Sequence, residues 1–223
     1  MLFFQISILK TLYYNLKLFN LSDAVKMPLV IGKKTTVDLK RNELIIKAKL
    51  RPGLVAFGIG GSPDLYCFES HRNYIGVKNG GVIEFHGKAH FAMHTSLFAA
   101  GGKIVFGDGF SSNIGCKISS TKEINFGTNC LLGGNVVIRD SDGHKVYDMS
   151  VNADKQYHEM EKPVKIGNHV WIGNNASVLK GVEIGDECIV GYGAIVTKPM
   201  ENEHCLIGGV PGKVLKHNIA WER

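Results

Sequence analysis

An aliphatic residue returns every six positions in the last third of the chain, and this period constrains the fold more than any other feature. The series is Ile166, Ile172, Val178, Ile184, Val190 and Val196. An amphipathic helix needs an apolar spacing of about 3.6 residues and a half-buried strand a spacing of about 2, so neither element alone produces this period. Short strands joined by tight turns do produce it.

A second series of compact residues lies four positions behind the first, at Val170, Ala176, Val182, Cys188 and Ala194. Pairs such as Gly167-Asn168 and Gly185-Asp186 follow the aliphatic residues. We expect these pairs to form the corners, because glycine and short polar residues tolerate positive backbone angles. The pattern predicts a parallel β-helix, in which each coil buries its apolar face against its neighbours at a spacing of ~4.8 Å.

These residues also resemble a known family. VKIGNHVWIGNNASVLKGVEIGDECIVGYGAIVTK, followed by GGVPGKVLK, is similar to the C-terminal half of the hexapeptide-repeat acyltransferases, which include galactoside, maltose, serine and polysaccharide O-acetyltransferases. The N-terminal segment and the WER ending resemble the polysaccharide branch. The resemblance implies a left-handed β-helix, whereas ordinary β-α-β crossovers are right-handed.

The repeat stops between Ile138 and Ile166, where residues 139–165 are polar and lack the six-residue rhythm. Stacking does not require such an insertion, so its length indicates a function. The predicted regions of this all-β chain are an N-terminal helical segment (1–30), strands and degenerate coils (31–84), the hexapeptide-repeat β-helix (85–198) and a capping tail with an edge strand and a short C-terminal helix (199–223).

The first twenty residues are rich in apolar side chains, but Lys10 and Lys17 interrupt them. Neither a signal peptide nor a membrane-spanning helix is supported. A short amphipathic helix is predicted, with one face formed by Leu9, Leu12, Leu16 and Phe19. We expect the helix to pack on the body of the protein or on a neighbouring subunit. The alternative is peripheral membrane contact through residues 1–20, with the two lysines at lipid head groups.

Net charge and cysteine content limit which binding partners and which cellular compartment are expected. The net charge of +6 comes without a long basic run, which argues against nucleic acid and favours a polyphosphorylated small molecule. Five cysteines without tight spacing argue against a disulfide framework and for a reducing cytoplasm. Cys116, Cys130 and Cys188 occupy the compact register and are predicted to be core residues.

The cluster Asp140-Ser141-Asp142-Gly143-His144 opens the insertion. An imidazole that titrates near neutrality takes a proton from a hydroxyl as it attacks a thioester, and a carboxylate on the other nitrogen fixes the tautomer. The segment resembles the Asp-x-Asp-x-His pattern of glycan O-acetyltransferases. The resemblance implies that His144 is the catalytic base and that Asp142 or Asp140 orients it. The alternative is a simple turn followed by a solvated histidine.

Four other histidines are weaker candidates for a functional site. His158 lies in the same insertion and is the next candidate base, although a surface role is favoured. His86, His90 and His94 suggest a metal site, but their hexapeptide positions turn them to different sides of the prism, and metal ligands must converge. No metal is expected.

The family resemblance also implies a binding site for acetyl-CoA. In the family, acetyl-CoA lies in a groove between two neighbouring β-helices. The implied cofactor-binding residues are Trp171, Asn174, Tyr192, Thr197, Lys198, Lys213 and Lys216. The last two stand where phosphate-binding arginines are common, and lysine keeps the charge but loses the two-pronged geometry. Tyr192 replaces a residue that is usually small.

The resemblance therefore predicts a homotrimer that transfers an acetyl group from acetyl-CoA to a carbohydrate hydroxyl of a capsule, lipopolysaccharide or exopolysaccharide. N-acetylation of an amino sugar or nucleotide-sugar is the main alternative. A carbonic-anhydrase-like metalloenzyme on the same fold and a catalytically silent scaffold are further alternatives.

Overall fold

A computed structural model of the chain describes residues 5–61, 72–148, 150 and 159–223. These ranges contain two short helices followed by a long series of short strands. The helices are α1 (Ile8–Leu18) and α2 (Leu21–Ala24), and the strands are β1 (Leu29–Ile31), β2 (Thr35–Asp38), β3 (Leu44–Ile46), β4 (Val55–Phe57), β5 (Asn73–Lys78), β6 (Val82–Phe85), β7 (Ala89–Phe91), β8 (Ser96–Ala100), β9 (Lys103–Phe106), β10 (Phe110–Ser112), β11 (Lys117–Ser120), β12 (Glu123–Phe126), β13 (Leu131–Leu132), β14 (Val137–Arg139), β15 (Val164–Ile166), β16 (Trp171–Ile172), β17 (Ser177–Val178), β18 (Glu183–Ile184), β19 (Ile189–Val190), β20 (Ile195–Val196), β21 (Leu206–Gly208) and β22 (Lys213–Lys216).

The strands form three sheets that are the three faces of a prism. The first face has the order β1-β4-β7-β10-β13-β16-β19-β21-β22, the second β2-β5-β8-β11-β14-β17-β20, and the third β3-β6-β9-β12-β15-β18. Up to β20, each strand pairs in parallel with strands of the adjacent coils, as in the register Ile118↔Ile138↔Val178. The predicted parallel β-helix is confirmed, and it begins at Leu29.

The interior of the prism is mainly apolar over the described residues, with Ser112 as a buried polar exception between Phe91 and Leu132. All six members of the aliphatic series are at most 3% exposed. In the preceding coils, Phe85, Phe106 and Phe126 stack with ring centroids 5.2 and 5.1 Å apart, which is close to the spacing between adjacent strands. Identical side chains therefore meet in successive coils.

The compact series is also buried, including three of the cysteines. Cys116, Cys130 and Cys188 are 0% exposed, as predicted. Burial raises the pKa of the Cys116 thiol to about 12 and that of Cys130 to about 11. Because the thiolate is the reactive form, these residues behave as small core hydrophobes.

The corners differ in detail from the prediction. The residue with a positive φ is the one after the Gly-Asn or Gly-Asp pair, as at His169 with φ 50°. Gly167 is needed for a different reason, since a Cβ there would lie 2.3 Å from Asp186 Oδ1 of the next coil. The Asn168 carboxamide oxygen accepts a hydrogen bond of 2.9 Å from Thr128 N. These pairs therefore join adjacent coils.

Helix α1 covers the N-terminal end of the prism with a polar face. The Asn15 carboxamide accepts from Leu29 N at 3.1 Å and donates to Leu29 O at 2.7 Å, and Thr11 Oγ1 accepts from Ile31 N at 3.0 Å. These bonds satisfy the exposed edge of β1, which would otherwise be open to pairing with another chain. Leu18 completes the packed face and is 4% exposed.

The side of α1 that packs on the prism is therefore not the predicted apolar face, although Phe19 at the end of that face packs against the core. Leu9, Leu12 and Leu16 point away from the body, and their residues are 82%, 47% and 50% exposed. The hydrogen-bonding needs of the β1 edge determine which face packs, and apolar spacing does not report them. No helix in the described ranges is long and apolar enough to span a membrane.

The C-terminal tail closes the other end of the first face without a helix. Residues 199–223 are all described, and β22 pairs antiparallel with β21, so the predicted C-terminal helix is wrong. Four residues gain too little from an isolated helical turn to offset its nucleation cost, whereas the open edge of β21 offers hydrogen bonds at once. The tail then returns along the first face, where the Arg223 guanidinium donates to Ser111 Oγ at 2.7 Å.

Candidate active site

The insertion leaves the prism at the corner between the second and third faces, after β14, and returns before β15. An antiparallel bridge between Ser141 and Glu161 closes its base. Asp142 N donates to Met160 O at 3.0 Å, and Lys162 N donates to Asp140 O at 2.9 Å. The two ends of the insertion are thus held together as a narrow stem. His158 lies outside the described residues.

Asp140 anchors this stem to the preceding coil. Its residue is 0% exposed, and its carboxylate accepts from Ser120 Oγ at 2.6 Å, from Thr121 N at 2.9 Å and from Lys122 N at 2.9 Å. Both oxygens of the Asp140 carboxylate are therefore engaged with the 120–122 corner. The orienting role that the sequence leaves open between two aspartates remains a prediction for Asp142.

Asp142 forms an ion pair that sequence reasoning missed. Lys180 Nζ lies 2.6 Å from Asp142 Oδ2 and also donates to the carbonyl oxygen of Glu159. The Lys180 side chain is 15% exposed, so this pair is better shielded from water than an ordinary surface pair. The register Ile138↔Val178 places Lys180 one coil beyond Asp140. Counting coils from the insertion would therefore have found it.

His144 lies just beyond the stem, and its residue is exposed. Gly143 precedes it with φ 81°, a left-handed conformation that favours glycine, and Gly143 N donates to Ser141 Oγ at 3.0 Å. Within the described part of the chain, no side chain hydrogen-bonds to the His144 imidazole. The exposed side chain can therefore meet an incoming hydroxyl.

Four of the predicted cofactor-binding residues lie at two different corners. Thr197 and Lys198 directly follow β20 and are exposed. Asn174 and Tyr192 occupy the corner between the first and second faces. Asn174 Oδ1 accepts from Gly134 N at 2.8 Å, and the Tyr192 hydroxyl accepts from Asn175 Nδ2 at 2.6 Å. The width of the second face separates these two corners, so one chain does not bring the four residues together.

The other three predicted cofactor-binding residues belong to the first face. Trp171 in β16 is 38% exposed. Lys213 and Lys216 are exposed on β22, at the C-terminal edge of the same sheet. The two lysines thus present two positive charges at the end of the prism, as a site for phosphate groups requires.

Trp221 is a neighbour of Trp171 that the sequence did not reveal. The two indoles have ring centroids 6.0 Å apart, and Trp221 stacks on His169 at 4.2 Å. Its Nε1 donates to His169 O at 2.8 Å, and His169 Nδ1 lies 2.6 Å from Glu187 Oε2. The chain separation between Trp221 and His169 leaves no local signal for this cluster.

The described residues contain no group of three His, Cys, Asp or Glu side chains that could hold a metal ion. His86 follows β6 and hydrogen-bonds to Glu84. His90 lies in β7, and His94 occupies the next corner with φ 62°. The three histidines are therefore distributed over successive elements of the coil.

Comparison with known proteins supplies the family. The model "Bacterial transferase hexapeptide (six repeats)" matches residues 163–198. A putative lipopolysaccharide biosynthesis O-acetyl transferase, WbbJ, of Escherichia coli strain K12 is 32% identical over 157 residues, which cover 66% of this chain and 80% of that protein. The chain belongs to the hexapeptide-repeat acyltransferase family. A polysialic acid O-acetyltransferase of Escherichia coli O1:K1 / APEC is 34% identical over 124 residues, which cover 55% of this chain but only 39% of that protein.

A solved structure agrees with this family assignment at the level of the fold. The crystal structure of the polySia specific acetyltransferase NeuO matches with a TM-score of 0.54 and 22% identity, and the match covers 86% of this chain and 90% of that one. The left-handed β-helix that the sequence resemblance implied is confirmed.

Proposed function

We propose that this chain is an acetyl-CoA-dependent O-acetyltransferase that acts on a carbohydrate hydroxyl, with His144 as the general base. The observation that carries the proposal is the exposed imidazole just beyond a fixed stem, on the insertion that separates β14 from β15 of an acyltransferase prism. The names of the two relatives, which refer to polysialic acid and lipopolysaccharide biosynthesis, support a glycan acceptor.

The proposed reaction needs one proton carrier. A nitrogen of neutral His144 takes the proton of the acceptor hydroxyl while its oxygen attacks the carbonyl carbon of the thioester. The carbon–sulfur bond breaks, and the departing thiolate takes the proton from the imidazolium. The products are an acetyl ester and free CoA, and the histidine returns to its starting state.

The stem gives His144 a defined place for this work. The ion pair between Asp142 and Lys180 and the Asp140 contacts with the 120–122 corner fix the first residues of the insertion to two adjacent coils. A catalytic group held in place does not spend free energy on being positioned during the reaction. Lys180 is therefore proposed as a positioning residue.

The two separated corners favour a site between subunits. Asn174 and Tyr192 line one edge of the second face, whereas Thr197, Lys198 and His144 lie at the other. A neighbouring prism packed on this face would bring one edge of each chain together, and a homotrimer closes such contacts by symmetry. Light scattering is expected to give a mass near that of three chains. A monomer that turns over acetyl-CoA at full rate would contradict the shared site.

Acetyl-CoA is the second substrate, and Lys213 and Lys216 are proposed to meet its phosphates. They are exposed on the C-terminal edge strand of the first face, and Trp171 belongs to the same face. The pantetheine arm would then run past Asn174 and Tyr192.

A paired acceptor screen tests the proposed function. Release of free thiol from acetyl-CoA is followed with three acceptors. They are a sialic acid oligomer, a neutral oligosaccharide, and an amino sugar that differs from the neutral oligosaccharide only by an amine in place of one hydroxyl. We expect thiol release with at least one acceptor that has hydroxyl groups but no free amine. Release restricted to the amine would assign N-acetylation, and the absence of CoA binding in calorimetry would indicate a silent scaffold.

A further inference from the structure

The outer face of α1 is an apolar surface that nothing in the described chain covers. Five apolar residues of the helix fall within an arc of about 140° at ~100° per residue. Two more lie on the following turn and α2. The set is Ile8, Leu9, Leu12, Tyr13, Leu16, Leu21 and Val25, with exposures between 47% and 82%. An apolar surface of this kind on a soluble domain marks an interaction site.

This surface points away from the end of the prism. Helix α1 crosses the first strand of the first two faces, since Asn15 bonds to β1 and the Tyr14 hydroxyl donates to Val37 O of β2 at 3.0 Å. Leu18, at the end of the helix, joins the core cluster that also contains Leu44 of β3. The opposite side of the helix therefore faces outward along the prism axis.

Positive charge is concentrated at the same end. Residues 1–41 contain seven Lys and Arg and two Asp, a formal +5 of the chain's +6. Lys17 and Lys10 border one side of the apolar arc on the helix, and Lys33 and Lys34 are exposed at the corner after β1. An apolar helix face bordered by lysines is the pattern of helices that lie in the interface of an anionic membrane.

A basic hollow lies beside the helix. It has a volume of about 270 Å³ and is lined by Lys10, Lys33, Lys34, Arg72, Thr35 and Thr36. Lys10 Nζ donates to the carbonyl oxygens of Lys33 and Thr35, at 3.1 and 2.8 Å, which holds it at the wall of the hollow. The hollow thus offers positive charge and hydroxyl groups to a phosphate next to an apolar surface.

A second copy of the chain fits this end less well than a lipid surface does. The site between subunits described under the proposed function uses the side faces and the C-terminal end of the prism and leaves the N-terminal end free, a step that rests on that proposal. Contact between two such ends would place two surfaces of formal charge +5 against each other, which costs free energy. An anionic surface removes this repulsion and accepts the apolar residues.

We propose that the N-terminal end docks the protein on an anionic lipid surface, with the outer face of α1 in the head-group region and Lys33, Lys34 and Arg72 at lipid phosphates. The acceptor site on the side of the prism would then lie beside the membrane. The proposed docking does not require the catalytic assignment to be correct.

Vesicle sedimentation of the full chain tests the proposal. The probes are vesicles of phosphatidylcholine alone and of phosphatidylcholine mixed with phosphatidylglycerol. We expect binding to the mixed vesicles that weakens as salt is added. Changing Leu9, Leu12 and Leu16 together to Ser is expected to lower the partition coefficient by at least about tenfold. Lys33→Ala with Lys34→Ala is expected to lower it by about tenfold.

Matched variants at other places make the test specific. Leu215→Ser removes an exposed leucine near the opposite end, and Lys117→Ala with Lys165→Ala removes the same charge from the sides of the prism, three and four strands away from the first coil. We expect each to change vesicle binding by less than about twofold, because these sites lie beyond the range of unscreened charge. Circular dichroism checks that every variant is folded.

Three results would overturn the proposal. The first is the absence of binding to mixed vesicles, and the second is equal binding to both kinds of vesicle. The third is a protein that associates end to end in sedimentation velocity, with the Leu9, Leu12 and Leu16 variant abolishing that association. Acetyl transfer to a soluble acceptor is measured in parallel without vesicles, so failure of docking and failure of the proposed reaction are read separately.

Discussion

The coils before and after β12 are built differently. In the aromatic coils, from Leu29 to Phe126, strands have three to six residues and phenylalanines stack along the axis. In the regular coils, from Leu131 to Val196, strands have two or three residues and the interior is filled by compact aliphatic side chains and cysteine. The interior of the prism is therefore packed differently in its two regions.

The aromatic coils contribute mainly to the stability of the fold, whereas the regular coils carry most of the predicted site. Large rings bury more apolar area per coil than Val or Ile, so the aromatic coils contribute more to the free energy of folding. The regular coils gain fixed corners instead, where side chains such as Asn168 and Asn174 bond to the preceding coil. Five of the seven predicted cofactor-binding residues and the foot of the insertion lie on or directly beside these regular coils. The account predicts that the two regions can be damaged independently.

The largest effect is expected at His144. His144→Ala should lower kcat by about 10² to 10⁴, because the imidazole takes the proton only in the transition state. This corresponds to roughly 2.7 to 5.5 kcal/mol. The KM for acetyl-CoA and the free energy of unfolding should stay nearly unchanged, since the side chain is exposed on the insertion. Steady-state kinetics measure kcat and KM, and chemical denaturation measures the free energy of unfolding.

Two companion variants sharpen this result. Asp142→Asn should lose less activity than His144→Ala, because the base is still present. Lys145→Ala, the exposed neighbour, should keep nearly all activity. Retention of more than about a tenth of the activity in His144→Ala, together with loss in His158→Ala, would move the base to the other histidine.

The second effect tests the aromatic coils. Phe106 is 0% exposed and stacks between Phe85 and Phe126, so Phe106→Ala should lower the free energy of unfolding by about 3 to 5 kcal/mol. The same change at half-buried Phe98, on the outside of the second face, should cost less. Chemical denaturation measures both variants. Equal losses would contradict the role of the stack.

The third effect is a pH-dependent one at Glu84 of β6. Burial raises the pKa of this carboxyl, but hydrogen bonds from Lys47, His86 and Lys103 outweigh it and lower the pKa to about 2. A depressed pKa stabilises the fold above the unfolded pKa of 4.5, and this contribution is lost as pH falls towards 2. Glu84→Gln should therefore cost about 2 to 3 kcal/mol at neutral pH, and the difference from wild type should shrink between these two pH values.

Glu183 provides the matched control on the same face of the regular coils. Its pair with Lys165 spans 3.4 Å, and its side chain is 45% exposed. Glu183→Gln should cost no more than about 1 kcal/mol. Thermal or denaturant unfolding across acidic pH distinguishes the two, and equal losses would contradict the special position of Glu84.

The smallest effect is expected at the C-terminal edge. Changing Lys213 and Lys216 together to Ala should raise the KM for acetyl-CoA by about tenfold, since both lysines are exposed and an exposed charge pair is worth at most about 1 kcal/mol. A thioester fragment without the nucleotide phosphates should show little change. Equal losses for both thioesters would contradict the placement of the two lysines.

The regular coils were predictable because their corners enforce one spacing. The aromatic coils could be assigned only in part from the sequence. Longer strands and corner insertions shift the six-residue register between Leu97 and Phe106 and again between Ile118 and Phe126. The face of α1 that packs on the prism and the end of the tail escaped sequence prediction for a shared reason. In both places the hydrogen-bonding needs of an open strand edge decide the structure, and neither apolar spacing nor helix propensity reports those needs.

The site was predictable to a similar extent. The insertion and its opening Asp140-to-His144 cluster follow from the break in the repeat, and the structure places them on a fixed stem. The contact between Lys180 and Asp142 could be found only from the strand register, which places residues that are distant in sequence one coil apart. Trp221 depends on how the tail folds back, which no repeat in the chain encodes.

The chemistry of the acetylated product tests the proposed reaction directly. Wild-type protein and His144→Ala are incubated with labelled acetyl-CoA and a sialic acid oligomer or another glycan acceptor selected by the thiol-release screen, and the labelled carbohydrate is then treated with mild hydroxide. The account predicts that wild-type protein labels the carbohydrate, that hydroxide removes the label because it is an ester, and that His144→Ala labels at most about a hundredth as fast. Label that survives hydroxide as an amide, or equal labelling by both proteins, would contradict it.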